Sequence, residues 1–346
     1  MKKVKWLLAG AGDIVKSRVA DALVSAENSE VTAIFAPSVG KAESIAEQYH
    51  IPLVFHDFTR ALTESGADAV YIATPHHTHV ALAKQSLAAG KHFLSEKPLG
   101  INSTECLSLL ECARQYPQLK TACSNYRLFS NQFRTTKRMI DAGEIGELSC
   151  GWAHDEEPYY NPSRAPLLKA RGMSPIHGFG FYLINMAQAL FGMPESVFAA
   201  SSSFNTQKLD PFDIDDLENI ILRFPGGKQF TIYINMVTQG PLRHSYEFCG
   251  SAGRLIWPGC PPHFNKPVYR AGWGEDLPVE NSVTQPMPGH EKNNWHLPMI
   301  QDFVDAVLNN GQPFCTLRSA VETSVITEAA VQSMETGLPV KIEKIQ

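Results

Sequence analysis

Along the first 123 residues, short apolar runs alternate with stretches in which apolar positions recur every three or four residues. The runs VKWLLAG (4–10), VTAIFA (31–36), PLVF (52–55), DAVYIAT (68–74), KHFLS (91–95) and LKTAC (119–123) have the length and composition of buried strands. Helical periodicity separates them. Ile14, Val15, Val19, Ala22 and Leu23 line one face, and comparable stretches lie near 41–49, 57–65, 77–89 and 103–115. Parallel neighbours need a crossover, and these helices supply it. The pattern predicts an α/β fold with a doubly wound parallel sheet.

After residue 123 the rhythm changes. ELSCGWAH (147–154), SVFAASSS (196–203), NIILRF (219–224), QFTIYINM (229–236), SYEFCG (245–250) and RLIW (254–257) are strand-like, and PGGK joins the pair 219–236 as a hairpin. Helices are expected near 131–142 and 177–191. Two closing helices, 299–311 and 317–337, each end on a glycine. Residues 258–292 are rich in Pro and Gly and read as a long excursion. These signals predict a second, α+β domain on a mostly antiparallel sheet, with the division falling between 1–123 and 124–346.

Composition narrows the function. The chain has 346 residues, 44% apolar and 19% charged, which is the profile of a globular protein with a large core. A formal net charge of −5 argues against nucleic-acid binding through phosphate contacts. No window has the length and charge pattern of a membrane span. The first residues have too short an apolar run, and the wrong residues after it, for a signal peptide. Seven cysteines with no CxxC pair suit neither a disulfide framework nor a zinc site, so a cytoplasmic location is expected.

In a doubly wound sheet ligands bind beyond the carboxyl ends of the strands, and three polar motifs fall there. The first is Gly10-Ala11-Gly12-Asp13-Ile14, which follows a strand and opens a helix. Gly10 fits a tight turn and Gly12 a close approach of backbone to a pyrophosphate. Val15 stands where the fingerprint has its third glycine. The second strand ends without the acid that bonds adenosine ribose hydroxyls, whereas Ser38 and Lys41 suit a 2′-phosphate. NAD or NADP is therefore expected, with the balance tilted to NADP. The second motif, ATPHHTH, holds Thr74, Pro75, His76, His77 and His79. No acid or cysteine flanks it, so Thr74, Pro75, His76 and His79 are assigned to cofactor contacts and no metal is expected. The third is Glu96-Lys97-Pro98, a charged pair and a proline directly after a buried strand.

Taken in order with NYRLFSNQFRTTKRMIDAGEIGEL (125–148), these motifs resemble the Gfo/Idh/MocA family of NAD(P)-dependent oxidoreductases, the glucose–fructose oxidoreductase and inositol dehydrogenase group. The resemblance covers nearly the whole chain. It implies a Rossmann dinucleotide-binding domain, then an α+β domain for substrate binding and oligomerisation, with a homodimer or homotetramer formed through the open sheet. It also implies that Lys97 is the active-site lysine and that the Lys97–Pro98 bond is cis. Glu96, Lys97, Pro98, Asn125 and Arg127 are then cofactor-side residues. A lysine beside a nicotinamide accepts a substrate proton if desolvation or the cationic ring lowers its pKa, and Glu96 is placed to orient it.

One departure stands out. Many relatives carry an Asp-x-Gly-x-His pattern before LFG. Here Gly178 occupies the Asp position and Tyr182 the His position, and Asn185 replaces a later Asp. His177 and Tyr182 are the candidates to replace that acid–base group, against the plain readings of a helix cap and a core aromatic. The polar stretch 152–172 and His296 are further candidates to approach the pocket. The expected activity is hydride transfer between nicotinamide and a carbinol or carbonyl of a sugar, sugar derivative or cyclitol. Two alternatives stay open. One is a glycosidase or lyase that uses tightly bound NAD for transient sugar oxidation. The other is a non-catalytic NAD(P)-binding sensor.

Overall fold

A computed structural model describes residues 2–156, 174–204, 215–236, 243–257 and 294–345, with short stretches at 259–260, 263–264, 268–270 and 276–277. The chain divides into two compact units. One comprises Met1–Ser130 and Gly289–Ser324, the other Asn131–Pro288 and Val325–Gln346. Both are discontinuous in sequence, in contrast to the single division after residue 123 read from the pattern.

The first unit is built on β1 (Val4–Ala9), β2 (Ser29–Phe35), β3 (Leu53–Phe55), β4 (Ala69–Ile72), β5 (His92–Ser95) and β6 (Thr121–Cys123). They pair in the order β3-β2-β1-β4-β5-β6, every pair parallel. The order reverses between β1 and β4, the switch point at which such sheets bind ligands. Leu7, Leu8, Ala69, Val70 and Phe93 are fully buried, because helices cover both faces of the central strands, whereas Leu53 on the edge strand β3 is exposed. The crossovers are α1 (Ala20–Ser25), α2 (Lys41–Tyr49), α3 (Phe58–Glu64), α4 (His79–Ala88) and α5 (Ser103–Arg114). Short polar side chains start two of them: Asp57 Oδ1 accepts from the Arg60 amide at 2.7 Å, and Asn102 Oδ1 from the Glu105 amide at 2.8 Å. The first crossover helix departs from the expected single α-helix. A π turn, Val15–Val19, precedes α1, with Val15 and Val19 buried.

The helix His296–Leu308 returns to this unit. Phe303 lies 5.4 Å from the Trp6 ring, and Gln301 Oε1 accepts from the Glu27 amide at 2.7 Å. Burying a ring the size of Phe303 contributes about 1.5–3 kcal/mol, to which the buried Met299, Ile300 and Val304 on the same helix add.

In the second unit, β7 (Leu148–Glu156), β8 (Ser196–Ser202), β9 (Leu217–Arg223), β10 (Gln229–Asn235), β11 (Arg243–Gly250) and β12 (Arg254–Trp257) form most of a nine-stranded sheet. Short strands Val268–Arg270 and Asp276–Leu277 extend one edge, and Val340–Lys341 pairs with β8 at the other. All pairs are antiparallel except β10 with β7. The PGGK hairpin forms as expected: Gly226 and Gly227 take φ of 75° and 79°, and the Phe224 amide donates to Lys228 O at 2.9 Å. The unit also holds α6 (Asn131–Asp141) and the helix Phe181–Phe191, which a π turn, Ile176–Gly180, introduces. Phe191 stacks on Phe224 at 5.1 Å and meets Phe230 at 5.6 Å. Among the described residues no helix is long and apolar enough to cross a membrane.

Candidate active site

A ladder of amide bonds aligns the carboxyl ends of the first unit's strands. Gly10 donates to Phe35 O, Ala73 to Ala9 O, Glu96 to Ile72 O and Ser124 to Ser95 O, at 2.7–2.8 Å. This edge therefore gathers Gly10–Ile14, Thr74–His79, Glu96–Pro98 and Asn125–Arg127, all expected from sequence.

The two glycines of the first loop differ in what they do. Gly10 has φ +124°, and a Cβ there would lie 2.2 Å from Ala73 O, so the fold itself requires glycine. A Cβ on Gly12 would meet nothing within 4 Å, and Gly12 has no positive φ. Ala11 is buried, Gly12 and Asp13 are exposed, and Ile14 is half-buried. The space above Gly12 is open at the start of a helix, where unsatisfied amides and the helix dipole favour an anion. The loop thus fits a dinucleotide pyrophosphate.

Beyond β2, Ser38 and Lys41 are exposed. The nearby acid, Glu43, is committed elsewhere: it accepts from the Gly40 amide at 2.6 Å and pairs with His56 at 3.0 Å.

The loops after β4 and β5 are joined through a buried imidazole. His79 Nδ1 lies 2.9 Å from Pro98 O and its Nε2 2.8 Å from Thr74 O. Burial lowers its pKa, and the two carbonyls oppose that shift. The His79 ring is thus spent on backbone within the unit, whereas His76 is half-buried and His77 and Pro75 exposed. Thr74 and Thr78 share a hydroxyl hydrogen bond at 2.6 Å. The Lys97–Pro98 bond is cis. Among the described residues no group of three His, Cys, Asp or Glu side chains is arranged to hold a metal ion.

Glu96 faces inward. Its Oε1 accepts from Tyr71 Oη at 2.7 Å and meets His296 Nε2 at 3.2 Å, and its Oε2 accepts from the Lys97 amide at 3.3 Å. Burial pushes its pKa up, but the hydrogen bond and charge of His296 and the Tyr71 hydroxyl outweigh it and hold the carboxyl at about 2. Tyr126 covers the His296 ring at 4.4 Å. An ionised, fully bonded carboxylate thus anchors the backbone from which the half-buried Lys97 projects. Asn125 is buried at the end of β6, and Arg127 is half-buried in the turn that follows. Tyr71 was not singled out from sequence. Its signal is a phenol inside a continuous apolar strand, where the hydroxyl must find a partner.

In the second unit, His177 sits in the π turn. Its Nδ1 lies 3.0 Å from the Ser174 amide and 3.3 Å from Ser174 Oγ. Nδ1 accepts from that N–H, so the neutral ring carries its proton on Nε2. Burial lowers its pKa. Tyr182 is buried with its ring edge-on to Phe181 at 6.1 Å, and Asn185 is buried. Glu218, on β9, was missed from sequence. Its carboxyl lies beside Ser174 and the Ile176 amide without a well-formed hydrogen bond to either, and burial pushes it up to about 8. Residues 157–172 of the polar stretch lie outside the described residues, while Lys97 belongs to the first unit and His177 and Tyr182 to the second.

Residues 4–121 match the oxidoreductase family with an NAD-binding Rossmann fold, and residues 133–256 match the GFO/IDH/MocA C-terminal domain. The chain belongs to the Gfo/Idh/MocA family. It is an NAD(P)-dependent oxidoreductase. An uncharacterised oxidoreductase of Rhizobium meliloti is 31% identical over 72% of this chain and 73% of its own length. The trans-1,2-dihydrobenzene-1,2-diol dehydrogenase of Mus musculus is 26% identical over 65% of this chain and 66% of its own. The WlbA dehydrogenase of Bordetella pertussis, solved with NADH and UDP-GlcNAcA, shares the fold, with a TM-score of 0.82 and 16% identity over 99% of each chain.

Proposed function

We propose that this family member transfers a hydride between nicotinamide and a secondary carbinol or carbonyl of a polyol, meaning a sugar, sugar derivative or cyclitol. The observation that carries this reading is the Glu96–Lys97–Pro98 loop, anchored through a buried carboxylate on the same strand edge as the Gly10–Gly12 turn. The mouse relative is named for a vicinal diol and the Bordetella neighbour binds a sugar nucleotide, which supports hydroxylated substrates.

The nicotinamide supplies the redox chemistry when bound. Gly10–Ile14 would hold the pyrophosphate, and Thr74, Pro75, His76, Asn125 and Arg127 belong to the same cofactor edge. Ser38 and Lys41 favour NADP, because the acid that would bond a ribose diol is absent at the end of β2 and Glu43 is occupied. Lys97 meets the reacting oxygen. In the oxidative direction its neutral amine takes the hydroxyl proton, and in the reductive direction the ammonium stabilises developing alkoxide and returns that proton.

Lys97→Ala tests the assignment. Calorimetry with NADH and NADPH should show binding retained. Single-turnover hydride transfer across a panel of polyols should fall by roughly 10²–10⁴, the range for a positioned acid–base group. Near-normal transfer would make Lys97 a loop lysine and remove the mechanism.

A further inference from the structure

The strand register of the second unit sorts its side chains onto two faces. Val197, Leu222, Phe230, Gly151, Phe248 and Leu255 are paired neighbours across β8, β9, β10, β7, β11 and β12. Phe191 packs on Phe230, so this face meets the helix Phe181–Phe191. Successive side chains of a strand point to opposite faces, so Cys150 and Cys249, each one position away from this row, lie on the other side. They are directly opposed residues of β7 and β11. Both are free thiols and half-buried, whereas Cys106, Cys123 and Cys315 are buried in the first unit.

The pairing suits a disulfide. Opposed residues of antiparallel strands have Cα atoms about 4.5–5.5 Å apart, within the roughly 4.4–6.8 Å that disulfides span. Their Cβ atoms need to close by about 1 Å, with no change of register. The strand has slack at this point. The register shifts between Cys249 and Gly250, which leaves Ser149 as an extra residue, and Ser149 Oγ donates to Cys249 O at 3.0 Å. Polar neighbours hold the thiols only weakly. Ser149 Oγ reaches Cys150 Sγ at 3.9 Å and Cys249 Sγ reaches Glu247 Oε1 at 3.8 Å, while the stronger partner of Glu247 is Arg254, at 2.9 Å.

We propose that Cys150 and Cys249 are a redox modification site, converted by a low-molecular-weight disulfide such as oxidised glutathione to a reversible cross-strand disulfide that clamps β7 to β11. Cys150 gives up its S–H, attacks one sulfur of the small disulfide and releases a first small thiol, which carries the proton away. Cys249 then attacks the Cys150 sulfur and releases the second in the same way. Two protein thiols are oxidised and one small disulfide is reduced to two thiols. Burial and the neighbouring Cys150 thiol and Glu247 carboxylate push the Cys249 thiol up to about 12. A disulfide is strongly oxidising when its reduced form is stabilised as a thiolate. No such stabilisation acts at Cys249, so exchange is slow and the oxidised pair persists once formed. The competing account is a thiol pair that only fills space on the sheet.

The test equilibrates the full chain with oxidised and reduced glutathione at several ratios, then traps free thiols by alkylation. Non-reducing digestion and mass spectrometry should find the peptides of Cys150 and Cys249 joined, lacking the two thiol hydrogens, and separated again by dithiothreitol. This readout uses the unmodified chain, so it does not depend on a variant's folding. Alkylated thiols at both positions under oxidised glutathione alone overturn the proposal. So does glutathione retained on either cysteine, or linkage of either to another cysteine such as Cys260. The two strands are far apart in sequence, so the cross-link should also raise the melting temperature by roughly 5–10 °C, and Cys150→Ser given the same treatment should show no rise. A disulfide that forms without raising the melting temperature removes the clamp.

Discussion

Removing the charge of Glu96 should flatten part of the acid dependence of stability. A carboxyl whose pKa is depressed in the folded state contributes stability that is complete above its unfolded value and is lost as pH falls through the folded one. For Glu96 that window runs from 4.5 down to about 2. At 1.36 kcal/mol per pH unit the full contribution is roughly 3 kcal/mol, and on the order of 1 kcal/mol of it is gone by pH 3.5. The side chain is buried, so solvent screening does not erode this figure much. The assay is urea unfolding of the unmodified chain and of Glu96→Gln from pH 6 to pH 3.5, taking the difference between the two so that all other carboxyls cancel. Glu96→Gln should be the less stable at pH 6, because it leaves His296 without its anion, and the gap should narrow by the stated amount on acidification. Tyr71→Phe serves as a second probe. It should cost about 1.5–3 kcal/mol, the range for a hydrogen bond to a charged group. A difference between chain and variant that stays flat from pH 6 to pH 3.5 refutes the argument, since Glu96 would then have an ordinary pKa.

The two glycines of the first loop should separate on substitution. Gly10→Ala should lower the melting temperature markedly through its clash with Ala73 O and its positive φ, whereas Gly12→Ala should leave melting unchanged and weaken dinucleotide binding in a calorimetric titration. The other face of the second unit's sheet carries Phe198, Ile221, Thr231, Trp152 and Ile256 in one row broken only by Glu247, with Phe198 39% exposed. A homodimer or homotetramer through this face is expected, and Phe198→Asp should shift sedimentation at micromolar concentration toward monomer.

The sequence made the first sheet legible because its strands are buried on both faces and its helices are amphipathic. Composition alone then separates the two periods. The alternation of β7, β9 and β10 likewise showed which side chains share a face. It did not show which strands are neighbours. The one parallel pair, β7 with β10, brings Asp155 level with Ile234 and Glu218, and no local signal encodes that pairing. Nor did local pattern reveal that Phe303 packs on Trp6, or that His296 reaches Glu96 across 200 positions of sequence. The π turn before α1 escaped for a related reason: apolar spacing of three and four does not distinguish a widened turn from a regular one.

The histidines show why the chemistry is harder to read than the fold. Motif and spacing singled out His79 and His177 because they sit in patterned stretches. A histidine's role, however, is set by what holds each ring nitrogen. His79 has a carbonyl at both, so its ring ties two loops together and has little left for a ligand. His177 has a backbone N–H at Nδ1, which fixes it as a donor at Nε2. His296 meets a carboxylate at Nε2 and helps to keep Glu96 ionised beneath Lys97. His244 faces a carboxylate at Nδ1, that of Asp155 on the neighbouring strand. The partners of His296 and His244 come from a strand distant in sequence, whereas His177 finds its own within one turn. The pairing of His244 with Asp155 is likewise visible only once β7 and β11 are known to be neighbours.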